Sequence, residues 1–136
     1  MYMVRINRNE LSKKDLDALL QQFDTLLGKL DKTATNVFLN EILGREERVM
    51  FAKRLATIIL LHEGYSEYKV SRVLKLSPTT TGKVASAIER GAYTGTITIL
   101  RKNKKNYLSI LKTIDSILHL GGILPHRTGL DRYRNL

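Results

Sequence analysis

Apolar residues recur along the first part of the chain at alternating intervals of four and three, at Leu16, Leu20, Phe23, Leu27 and Leu30, with Lys13, Lys14, Asp17, Gln21 and Asp24 between them. That period predicts an amphipathic helix between residues 10 and 31 with a coiled-coil-like seam, which Leu19 and Leu26 widen. Two heptads fit equally a helix that packs on its own domain and one that pairs two chains. A short second helix is expected over 35–43, with Val37, Phe38 and Ile42 apolar and Gly44 as its stop. The stretch 45–62 opens with Glu46 and Glu47, where a helix N-terminus favours negative charge. It then turns apolar nearly all round through Met50, Leu55, Ile58, Ile59, Leu60 and Leu61. Such a helix belongs at the centre of a fold, and Gly64 marks its end. His62 reads as a capping residue near that helix end.

Residues 65–91 carry the most specific pattern. Ser66 is placed to cap one helix, whose apolar stripe is Val70, Val73 and Leu74. Ser77 is placed to cap a second, with Pro78 in its first turn, where a missing amide proton is harmless. Leu76 is the expected buried residue of the turn. Val84, Ala85 and Ile88 form the expected inward face of the second helix, and Gly91 closes it. Two short helices about a turn this tight are a helix-turn-helix, here over 66–90. The second helix begins with Thr79, Thr80 and Thr81, expected to be exposed, followed by Gly82 and Lys83. Threonine can hydrogen-bond base edges or phosphates and set its methyl against a thymine methyl. Gly82 costs about 1 kcal/mol relative to alanine inside a helix. Lys75 stands where such motifs often place glycine, which requires a different turn geometry.

Beyond Tyr93, the stretch 94–100 (Thr-Gly-Thr-Ile-Thr-Ile-Leu) reads as a linker. Arg101, Lys102, Lys104 and Lys105 then open a last helix, about 101–119, whose apolar face is Tyr107, Ile110, Leu111, Ile114, Ile117 and Leu118. Gly121 and Gly122 end it, and Pro125, His126, Arg127, Arg132, Tyr133 and Arg134 form a basic, aromatic-punctuated tail. The tail suits either a minor-groove arm or a frayed terminus. The expected division is therefore a domain over 1–93 and a C-terminal extension over 94–136. Within the domain, dimerisation helices span 10–43, a central helix 45–62 and the helix-turn-helix 66–90.

Composition narrows the function. The 136 residues hold 23 Lys and Arg against 13 Asp and Glu, a net charge of +10. The surplus is uneven: residues 1–62 carry +2, residues 63–105 carry +6 and residues 106–136 carry +2. Clustered positive charge favours a polyanion, and nucleic acid is the commonest. With no cysteine, thiolate zinc sites, disulfides and thiol nucleophiles are out of reach. His62, His119 and His126 have no second ligand type at metal-site spacing, and no phosphate loop, nucleophile elbow or catalytic carboxylate pair appears. The expectation is a protein that is not an enzyme, with no cofactor and no metal. No apolar run reaches the roughly 18 residues of a membrane span. The first ten residues are too polar for a signal-peptide core. A cytoplasmic location with no membrane partner follows as the expectation.

Residues 42–91 resemble the Trp repressor family. The likeness rests on Glu46-Glu47-Arg48, Lys53-Arg54, the apolar helix to Leu61, Glu63-Gly64 before the helix-turn-helix, and the run Ala87-Ile88-Glu89-Arg90-Gly91-Ala92-Tyr93 at its end. The resemblance implies an all-α fold, an intertwined homodimer with interlocked N-terminal helices, and paired recognition helices on a palindromic operator. To this the chain adds an extra C-terminal helix and basic tail. By the same likeness Pro78, Thr79, Thr80 and Gly82 face bases, and Lys83 joins them by its place at the start of the second helix. Ser66, Lys69, Arg72, Lys75, Ser77 and Arg90 are the candidate phosphate contacts. In that family two arginines sandwich an indole, helped by a threonine and a serine. Here Arg54 matches the first arginine, but Lys83 replaces the second, Gly44 the threonine and Ala87 the serine. Arg54 and Lys83 are thus a candidate ligand pocket in which tryptophan is doubtful, and whether another effector or none is used stays open. The expected function is a sequence-specific regulator of transcription, a repressor, binding double-stranded DNA as a homodimer. The alternatives are a non-specific DNA- or RNA-binding module and an all-α protein-interaction module.

Overall fold

The computed structural model describes residues 10–120, and every regular element among them is helical. The basic tail and the glycine pair at 121–122 lie outside the described residues. The chain divides into two compact units, Met1–Phe51 and Ala52–Leu136.

In the first unit, α1 (Lys13–Lys29) starts at Ser12, whose hydroxyl accepts the Asp15 amide at 3.2 Å. Next comes α2 (Lys32–Ile42), which starts three residues earlier than its apolar pattern suggested. Asp31 is the cap and accepts the Ala34 amide at 2.8 Å. Gly44 does not end α2 in the left-handed conformation expected of a glycine stop; Leu43 is the extended cap residue. Instead Gly44 opens α3 (Arg45–His62), with its amide donating to Glu47 Oε1 at 2.8 Å. The Phe23 and Phe38 rings sit 6.2 Å apart, tilted by 43°. Neither α1 nor α2 buries a single residue. Of the seam read from the sequence, Leu16, Leu19, Leu20, Phe23, Leu26 and Leu27 stand exposed and Leu30 is half-buried.

The second unit is built around the C-terminal half of α3, where Thr57, Ile58, Ile59 and Leu60 are consecutive and buried, as expected of a central helix. Gly64, at φ 97, ends that helix while the Tyr65 amide returns to the Leu60 carbonyl. Then follow α4 (Glu67–Leu74), α5 (Pro78–Glu89), α6 (Thr94–Lys102) and α7 (Lys104–Leu120). One core cluster joins Ile59 and Leu60 to Val70 and Leu74 of α4 and to Tyr107, Leu111 and Ile114 of α7. A smaller one joins Ile58, Val84 and Ile97.

Four expectations change here. Residues 94–100 are the body of α6, not a linker; Ile97 is buried against Ile58 and Val84, and packing overrides the weak helix propensity of Gly95 and three threonines. The last helix is interrupted at Asn103. The contact-based division falls at 51/52 rather than 93/94, and α7 supplies three of the seven buried residues of the larger core, so it is no appendage. Ile117, assigned to the inward face of α7, is exposed.

Candidate nucleic-acid interface

Two short helices, α4 and α5, are joined by a three-residue connection, Lys75 to Ser77, and pack directly on each other. Eight residues cannot hold α4 in water alone, so its shape comes from packing. Ser66 caps it, accepting the Lys69 amide at 3.2 Å, and Val70 and Leu74 anchor it to α3. Lys75 ends it in the left-handed conformation, φ 54 and ψ 51, and is the sole non-glycine residue with positive φ among those described. This is how the chain turns without the glycine usual at such a place, and it leaves the lysine side chain exposed. Leu76, expected to be buried, is half-buried against the core, with its amide bonded to the Ser71 carbonyl at 2.9 Å.

Ser77 caps α5: its hydroxyl accepts the Thr80 amide at 3.1 Å and shares a 2.8 Å hydrogen bond with the Thr80 hydroxyl. Pro78 occupies the first turn. The three threonines that look alike in the sequence have different positions. Thr79 and Thr80 are exposed, but Thr81 is completely buried, which corrects the expectation of an exposed threonine triplet. Its Oγ1 accepts the Ser71 hydroxyl at 2.8 Å, a buried side-chain bond between α4 and α5. The inward face of α5 is therefore Thr81, Val84 and Ala87, with Ala85 and Ile88 only half-buried.

On the opposite face, Glu67, Thr79, Gly82, Lys83, Ser86 and Arg90 line an open groove of about 590 Å³. Helical spacing accounts for it, since positions 79, 82, 83, 86 and 90 fall on one side of α5. The groove gathers four predicted residues, Thr79, Gly82, Lys83 and Arg90, and adds Ser86 and Glu67, which the sequence reading missed. Ser86 was recoverable from its spacing of three from Lys83; Glu67 was not, because its place depends on how α4 lies on α5. A Cβ at position 82 would stand 3.4 Å from Glu67 Oε1, an ordinary contact, so glycine there is not demanded by space. Lys69, Arg72 and Lys75 are exposed around α4. Tyr68 is 70% exposed beside them, and its hydroxyl accepts from Arg72 Nη1 at 3.4 Å. The hydroxyls of Ser66 and Ser77 are engaged as caps, so their part in a phosphate contact would be to hold the helix start in place.

Arg54 is exposed on α3 and is not among the residues that line the groove around Lys83. Among the described residues no group of His, Cys, Asp and Glu is arranged to hold a metal ion, and no helix is long and apolar enough to cross a membrane. No protein-family model, curated protein or solved structure matches this chain.

Proposed function

We propose that this chain is a sequence-specific double-stranded DNA-binding regulator, a repressor, acting in the cytoplasm as a homodimer with α4 and α5 as its helix-turn-helix. The observation that carries the reading is the outer face of α5. It presents Pro78, Thr79, Thr80, Lys83, Ser86 and Arg90 to solvent in helical register, flanked by Lys69, Arg72 and Lys75 of α4 and its turn. Donors and methyls at the start of such a helix are what base edges in a major groove accept, and cations around it meet phosphates. The resemblance of residues 42–91 to the Trp repressor family supports the same reading. A second copy is the natural cover for α1 and α2, which bury nothing of their own. Tryptophan is not part of the proposal, and no other effector is assigned to the Arg54 and Lys83 pair.

Selection of bound fragments from random duplex DNA tests this. Recovery of a two-fold-symmetric sequence, bound at physiological salt far more tightly than random duplex, is the expected result; equal affinity for all sequences would overturn it. Replacing Leu20 or Phe23 with Asp should convert the dimer to a monomer by sedimentation and weaken operator binding; a dimer that persists in both variants places its interface elsewhere. One observation favours a second reading, a non-specific nucleic-acid module. Arg101, Lys102, Lys104 and Lys105 are all exposed at the junction of α6 and α7, a cationic site that owes nothing to α5.

A further inference from the structure

A second cleft, of about 320 Å³, opens in the Ala52–Leu136 unit between the ends of α3 and α5 and one side of α6. Ile58 and Ile97 are buried and Ile88 half-buried, and these three give it an apolar floor. Its rim is His62, Tyr93, Thr94, Thr98 and Arg101. Four of the lining residues, Thr94, Ile97, Thr98 and Arg101, follow the spacing of one face of α6, so the cleft runs along that helix for two turns. Thr94 and Arg101 stand at the two ends of this face, with buried Ile97 and exposed Thr98 between them.

The charge on the lining is one-sided. Arg101 and His62 are the ionisable groups of basic type, and no carboxylate lines the cleft. Arg101 also lies close enough to act electrostatically on the Tyr107 phenol, whose hydroxyl donates to Glu63. At the other end, the Thr94 hydroxyl donates to the Gly91 carbonyl at 2.9 Å and the Thr98 hydroxyl to the Thr94 carbonyl at 2.8 Å. With those protons committed, both oxygens present acceptor lone pairs. The volume lies at the lower end for small-molecule sites, which combine an apolar lining with a few placed polar groups.

We propose that this cleft binds a small hydroxylated aryl carboxylate, with its anionic end on Arg101, its ring over Ile58, Ile88 and Ile97, and its hydroxyl toward Thr94. Two turns of α6 separate the arginine from that threonine by about 10 Å of helix rise, the length of such a molecule. A zwitterionic amino acid fits less well, because no acid in the lining receives its ammonium group. The site shares no residue with the groove around Lys83, so its existence does not depend on whether α5 reads DNA.

The test uses the full-length protein and three probes: 4-hydroxyphenylacetate, its uncharged amide, and tyrosine. Titration calorimetry should show one acid bound per chain, with the amide and tyrosine each at least about tenfold weaker. Amide resonances of residues 94, 97 and 98 should shift on addition of the acid. Arg101→Gln should weaken the acid at least about tenfold, while Lys83→Gln leaves it unchanged. Because Arg101→Gln also removes a partner of Tyr107, Thr98→Phe serves as a second variant that fills the cleft and leaves the arginine in place; it too should abolish binding. Equal binding of acid and amide, shifts confined to residues 79–86, or no heat from the acid at about millimolar concentration would each overturn the proposal.

Discussion

Ser71 and Thr81, ten residues apart and both buried, share a 2.8 Å hydrogen bond in which the serine hydroxyl donates to the threonine oxygen. It lies where α4 packs on α5, so a buried polar interaction helps fix the mutual placement of the two helices. Removing the threonine oxygen strands the Ser71 hydroxyl without water, while loss of the serine leaves the Thr81 hydroxyl only its longer 3.4 Å bond to the Ser77 carbonyl. Ser71→Ala and Thr81→Val should each cost about 1–2 kcal/mol, and the double variant should cost less than their sum, since it leaves nothing unsatisfied. Urea unfolding of the four proteins gives the coupling directly; strict additivity would mean the bond contributes nothing.

Lys75 sits in a backbone conformation that costs a side-chain-bearing residue about 1–2 kcal/mol, at φ 54 and ψ 51. Lys75→Gly relieves that strain and, after the extra freedom glycine gains in the unfolded chain, should raise stability by about 1 kcal/mol. The same change removes an exposed cation beside α5. Duplex affinity should therefore fall while the urea midpoint rises, and a variant in which both fall would place the lysine side chain in the fold.

Tyr107 is the largest of the fully buried side chains, 2% exposed, and its hydroxyl donates to Glu63. Burial first, and then the Glu63 carboxylate, push its ionisation far above the ordinary value of 10.0. The native tyrosine thus stays protonated where the unfolded one ionises. Its contribution is complete below pH 10 and is lost as pH climbs beyond it, by up to about 1.4 kcal/mol per pH unit. Stability measured from pH 8 to 11 should fall more steeply in the parent than in Tyr107→Phe. Parallel curves would show that this phenol does not govern the alkaline limb.

The groove on α5 mixes signs, with Glu67 facing the same space as Lys83 and Arg90. Glu67→Gln should strengthen binding to any duplex several-fold by removing repulsion from phosphate. Lys69→Gln, Arg72→Gln and Arg90→Gln should each weaken binding evenly across sequences and reduce the slope of log K against log salt by about 0.9 for each phosphate no longer neutralised. Thr79→Ala and Thr80→Ala should instead change which sequence is preferred. Filter binding across a salt series separates the two behaviours.

Much of this arrangement was legible in the sequence where the signal was local. Ser66 and the Ser77-Pro78 pair mark helix starts through hydrogen bonds three residues away, and the structure has both caps where the residues indicated them. The sequence misled where position depended on distant neighbours. Thr81 resembles Thr79 and Thr80 in every local respect, and only the crossing of α4 puts it inside. Residues 94–100 have the glycine and threonines of a linker, yet Ile97 finds Ile58 and Val84, and the threonine hydroxyls bond back along the helix. The seam of α1 was plain from its period, but a period specifies a sticky face and says nothing about what covers it.

Glu63 is synthesised 44 residues before the tyrosine that donates to it. Ile59 and Leu60 likewise precede Leu111 and Ile114, the residues of α7 that complete their cluster. A ribosome therefore releases the central helix well ahead of the α7 residues that complete its cluster, and the growing chain carries an incomplete core until α7 has emerged. Premature stop codons after α6 yield a chain whose central helix keeps α4, α5 and α6 but lacks the Tyr107, Leu111 and Ile114 part of its cover, which makes such products natural prey for proteolytic quality control.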